Sequence, residues 1–82
     1  KSMDKDEQLK FLVEALENEI RARLLSQVDY MLITNRAMQG KNLNDPIFAK
    51  QTEAKQMNEL RDGRIHYIRD LMEEIKSGKF VL

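Results

Sequence analysis

The chain has 82 residues and carries 14 Lys and Arg against 14 Asp and Glu, with one His, one Pro, three Gly and no Cys or Trp. Without cysteine there is no disulfide framework and no thiolate metal site; with zero net charge the broad basic footprint of a nucleic-acid binder is missing. No apolar run approaches the roughly 20 residues that a membrane span needs, so neither nucleic acid nor a membrane span is expected.

In chain order, the first signal is Asp4 with Glu7 three residues on, a capping-box pattern with Asp in place of Ser or Thr. It predicts a first helix over about residues 5–39. On a wheel at about 100° per residue this helix carries two apolar faces. One seam is Leu9, Val13, Leu16, Ile20, Leu24, Val28, Met31 and Met38; the other, roughly opposite, is Phe11, Ala15, Ala22, Leu25, Leu32 and Ile33. The sequence leaves open which of them meets the rest of the fold. Next comes Gly40-Lys41-Asn42-Leu43-Asn44-Asp45-Pro46. Gly40 suits the left-handed position past a helix end, Asp45 suits the next N-cap, and Pro46 loses nothing at a first helical position. A turn over 40–45 is expected, then a second helix over about 46–77 that stops at Ser77-Gly78. Its main apolar seam is Ile47, Ala54, Met57, Ile65, Ile68, Met72 and Ile75, flanked by Leu60, Tyr67 and Leu71, and its stretch from Lys50 to Gln56 is mostly polar. Gly63 inside this helix is either a tolerated surface glycine or a point of close backbone approach. The tail Phe80-Val81-Leu82 folds back, docks elsewhere, or is the scar of a truncation. Lys1 is not a natural start, so an internal cut or an added leader is expected, and charges on both sides of Leu9–Val13 exclude a signal-peptide apolar region.

These elements predict an all-α fold: one domain over residues 1–82, an antiparallel, coiled-coil-like two-helix hairpin. One helix covers only one side of its neighbour, and leaving several large apolar side chains in water forfeits several kcal/mol at about 25 cal/mol per Å², comparable to the stability of a small domain. A helix apolar on two sides is normally buried on two sides. If the second helix covers the Leu9–Met38 seam, then Phe11, Ala15, Ala22, Leu25, Leu32 and Ile33 form the partner-binding stripe. Its cover is a larger helical partner, for a non-catalytic interaction module, or a self-dimer, giving a four-helix bundle with a scaffold or regulatory, adaptor-like role. Charge balance, seven of each sign in residues 1–41 and again in 42–82, makes apolar contact rather than charge the basis of binding.

Catalytic and cofactor chemistry are not expected. His66 follows Asp62 by four residues, which suits a surface ion pair better than a metal or acid–base pair; di-metal bundles use Glu-x-x-His on facing helices. Glu14, Glu17, Glu73 and Glu74 read as solvated flanks. Arg61 and Arg64 read as stems lying over apolar surface with their heads in water, in preference to an anion-binding pair. Ser2, Ser26 and Ser77 have no base nearby, and no glycine-rich phosphate loop exists. The five methionines read as core filler, although Met also suits adaptable binding surfaces.

The stretch Asn42-Leu43-Asn44-Asp45-Pro46, then Gln51 to Gln56, then Arg64-Ile65-His66-Tyr67-Ile68 resembles the YscE-like co-chaperones of type III secretion needle subunits, over about Met31 to Leu71. That resemblance implies a cytoplasmic hairpin seated on a larger tetratricopeptide-like chaperone, the two together keeping the needle subunit soluble and unpolymerised before export. It brings no catalytic residues. The chain is somewhat longer than that family and more charged in its second helix. The needle subunits themselves share a hairpin with an Asp-Pro turn, but their polymerising tail has no clear match after Ile75.

Overall fold

A computed structural model describes residues 3–39 and 46–79. Two helices make up the fold: α1, Lys5–Gln39, and α2, Pro46–Lys76. They lie antiparallel as a hairpin, an all-α structure with no strand among the described residues. The expected turn over 40–45, with the roles given to Gly40 and Asp45, and the tail Phe80–Leu82 lie outside the described residues.

Local chemistry sets the ends. The Glu7 amide donates to Asp4 Oδ1 at 2.8 Å, and the Gln8 amide to the Asp4 carbonyl at 3.0 Å, so Asp4 is the N-cap of α1. Asp6 and Glu7 in the first turn and Arg36 in the last complement the helix dipole. Pro46 opens α2 at the one place where its missing N–H costs nothing. At the other end Gly78 takes φ +81°; its amide bonds to the Ile75 carbonyl at 3.1 Å and that of Lys79 to the Glu74 carbonyl at 3.0 Å. This is a Schellman ending, which needs the left-handed conformation that glycine adopts without strain. Helix α2 stops one residue before the expected Ser77, whose hydroxyl turns back onto the Glu74 carbonyl.

The hairpin is a rod of 58 × 19 × 17 Å with a radius of gyration of 17.9 Å, against about 12 Å for a compact chain of this length. Its interior is thin. Among the described residues Leu12, Ala37, Ile65 and Ile75 are the buried apolar ones, and Gln8 and Asn58 are buried with them. The α2 seam is close to the expected one: Ile65 and Ile75 are buried, Ile47, Ala54, Ile68 and Met72 half-buried. Met57 departs from it and stands exposed at the edge.

Helix α1 departs more. Neither of its two apolar faces lies squarely under α2. The strip turned to α2 falls between them and runs through Gln8, Leu12, Ala15, Glu19, Arg23, Ser26, Tyr30, Ile33 and Ala37, buried or half-buried throughout. Its spacings are threes and fours averaging about 3.6 residues, so the strip stays on one face of a straight α-helix. Small side chains at Ala15, Ser26 and Ala37 let the helices approach, and polar side chains along the strip find partners on α2.

Gly63 has open space where a side chain would stand and sits on the exposed side of α2, so it is a surface glycine and not a point of close approach. Gly63→Ala is expected to raise unfolding stability by about 1 kcal/mol, read as a higher denaturation midpoint. Gly78→Ala, at positive φ, is expected to lower it.

Candidate interaction surface

The middle of the helix pairing is polar. Arg23 Nε donates to Asp62 Oδ1 at 2.7 Å, and Arg23 Nη1 to Gln27 Oε1 at 2.9 Å. Asn58 Nδ2 reaches the same Gln27 oxygen from α2 at 3.5 Å. Arg61 Nε donates to Ser26 Oγ at 3.0 Å, while its Nη1 lies 3.7 Å from Glu19 Oε2. Nearer the turn, Gln51 Nε2 donates to Thr34 Oγ1 at 3.2 Å. At the open end, Lys5 Nζ donates to the Lys76 carbonyl at 3.2 Å. The paired numbers fall as one rises, so these bonds fix one antiparallel register.

Two expectations change here. Asp62 turns to Arg23 across the interface and not to His66 along its own helix. Arg61 turns its head inward to Ser26 and Glu19 instead of leaving it in water, because a guanidinium fork matches a hydroxyl and a carboxylate on the facing helix. Arg64 is exposed, as are Glu14, Glu17, Glu73 and Glu74. The polar seam is incompletely satisfied: Asn58 Oδ1 and Glu19 Oε2 are buried atoms without a hydrogen bond. At 3.7 Å the Arg61 guanidinium is too far to hydrogen-bond Glu19, yet close enough to offset its charge.

Because this seam occupies the inside of the hairpin, apolar side chains are left outside. Phe11, Val13, Ile20, Leu24, Leu25, Val28, Met31, Leu32 and Met38 are exposed on α1, and Met57, Leu60 and Tyr67 on α2. Within the expected partner-binding stripe, Phe11, Leu25 and Leu32 are exposed, while Ala15, Ala22 and Ile33 are half-buried beside α2. Residues of the other seam are exposed as well, which sequence reasoning did not foresee. Met3, Met31, Met38 and Met57 are all exposed and Met72 alone of the five is half-buried, so the methionines are surface groups more than core filler. Leu32 and Ile33, with Ala54 and Met57, line a groove of about 520 Å³ between the helices, rimmed by Asp29, Arg36, Lys50 and Glu53. Leu60 lies one turn along α2 from Met57 and extends the apolar floor of that side. A second hollow along α1 is lined by Tyr30, Met31, Leu32, Thr34, Asn35 and Met38.

No helix is long and apolar enough to cross a membrane, and the described residues hold no cluster of acidic, His or Cys side chains suited to a metal ion. Compared with protein-family models, curated proteins and solved structures, the chain matches none.

The inward arginine and the buried amide are expected to separate on substitution. Arg61→Ala leaves Glu19 without a cation and is expected to cost about 1–2 kcal/mol. Asn58→Leu removes an amide whose oxygen has no donor at a seam position and is expected to raise the denaturation midpoint. Chemical denaturation of the two variants checks both signs.

Proposed function

We propose that this chain is a non-catalytic protein-interaction module that gives the outer surface of α1 to a helical protein partner. One observation carries the reading: the hairpin uses a largely polar strip for its own pairing and leaves nine large apolar side chains of α1 in water. Monomeric soluble proteins seldom expose contiguous apolar surface beyond a few hundred Å² unless something binds there. The groove between Ile33 and Met57, apolar in its floor and charged at its rim, has the character of a protein contact, with an apolar centre and a polar edge. Exposed methionines suit a surface that adapts to its partner.

The narrower reading rests on the resemblance to the YscE-like family. On that reading the module is a cytoplasmic co-chaperone, the partner is a tetratricopeptide-like chaperone, and the pair holds a secretion needle subunit soluble before export.

Leu25→Asp and Leu32→Asp place charge on the exposed stripe, at positions that hold none of the inter-helix hydrogen bonds. Each is expected to abolish association, measured by light scattering and by co-purification with the partner, while far-UV circular dichroism retains most of the helicity. If both variants associate as the parent does, the outer surface of α1 is not the interaction surface. For the narrower reading, co-expression with a tetratricopeptide-like chaperone is expected to give a stable complex that keeps a needle subunit soluble; a chain that never joins such a complex contradicts it.

A further inference from the structure

The two apolar faces of α1 merge between residues 24 and 32. Around Val28, the positions three and four residues away are apolar in both directions: Leu25 and Leu24 before it, Met31 and Leu32 after it. Residues at these spacings share one helix face. The five side chains are 52–69% exposed, and Val28 at their centre lies about half a helical turn from the Ser26 and Tyr30 positions of the inner seam.

We infer that a second copy of this chain seats on this patch, resting on the interaction-module reading and naming its partner: two α1 helices cross antiparallel about a two-fold axis beside Val28. Three observations favour this occupant. First, the patch is its own complement. A two-fold at Val28 sets Leu24 opposite Leu32 of the other copy and Leu25 opposite Met31, apolar on apolar at every position, as an isologous contact requires. Second, the flanks do not repel. The same axis sets Arg21 opposite Asn35 and Glu17 opposite Gln39, so no like charges face each other, and the net charge of zero adds no long-range repulsion between copies. Third, the rod has surface to spare. The chain exposes 6463 Å², against roughly 5,100 Å² for a compact monomer of 9.7 kDa. That excess, roughly 1,300 Å² over the whole rod, is more than the roughly 800 Å² that a standard interface would remove from each copy, so pairing would bring the surface of each chain back toward that of a compact one.

Position 28 then meets itself, which makes a charge-exchange test specific. The full 82-residue chain is examined by sedimentation equilibrium and circular dichroism beside Val28→Asp, Val28→Lys and their equimolar mixture. The parent is expected to sediment at twice the 9.7 kDa chain mass. Each variant alone is expected to dimerise at least about a hundredfold more weakly, since like charges are forced together, and the mixture to recover the dimer. Recovery by mixing supports the proposal even if a single variant folds poorly on its own. A mixture that stays monomeric, or variants that each dimerise as the parent does, overturns it. A parent that is monomeric at every concentration also overturns it, and the Val28→Asp variant then separates the two levels. If that monomer keeps its helicity, the face stays open to a different protein and the interaction-module reading stands. If it unfolds independently of concentration, the face belongs to the chain's own core and both readings fall.

Discussion

Polar side chains on the inner strip of α1 decide how the two helices face each other, and the rest of the molecule follows from that choice. Arg23 with Asp62, Ser26 and Glu19 with Arg61, and Gln27 with Asn58 couple the helices in one register. Burying such groups stabilises little in itself, because desolvation offsets most of the attraction. What they supply is discrimination. Sliding α2 round to either apolar face of α1 would leave Arg61 and Asn58 against aliphatic side chains with no acceptor, and an unpaired buried polar group costs about 1–3 kcal/mol. In coiled coils a single buried polar residue fixes register at some cost in stability, and here several act together.

The energetic consequence is a hairpin with little core of its own. Among the described residues Leu12, Ala37, Ile65 and Ile75 are its buried apolar ones, in a size range where one small core rarely suffices and where disulfides and metals are the usual supplements. Cysteine is absent, which removes the first of these. The apolar surface that would normally supply stability stands on the outside of α1, most densely around Val28, and on the edge of the groove beside Met57. On the proposed reading structure and binding are linked, since a partner that covers that surface would also add to the core.

Much of the fold was legible in the sequence. The Asp4 cap, Pro46 at the start of α2 and the Gly78 ending are local chemistry, and local chemistry depends on few residues. The seam of α2 was legible too, because Ile65, Ile68, Met72 and Ile75 form a single apolar face. For α1 the wheel misled, since it ranks faces by apolarity alone. The strip that α2 selects contains Glu19, Arg23 and Ser26, with Gln27 at its edge, and its value appears only when Asp62, Asn58 and Arg61 are set opposite in register. Of the expected partner-binding stripe, Phe11, Leu25 and Leu32 are exposed. With α2 between the two apolar faces, Leu24, Val28 and Met31 join Leu25 and Leu32 in one continuous surface. The signal that could have found it was the pairing of polar residues across the hairpin, in particular Gln27 with Asn58, which fixes the register and hence the facing side.

The central claim is that α2 faces the polar strip of α1 and leaves the Leu24–Leu32 surface outside. Nuclear Overhauser contacts in the isotope-labelled chain test it directly. The account predicts contacts from Gln27 to Asn58 and from Ser26 to Arg61, with none from the Leu24, Val28 or Met31 methyl groups to any proton of α2. Contacts from those methyl groups to Ile65 or Ile68 would show α2 lying on the apolar face and would contradict it.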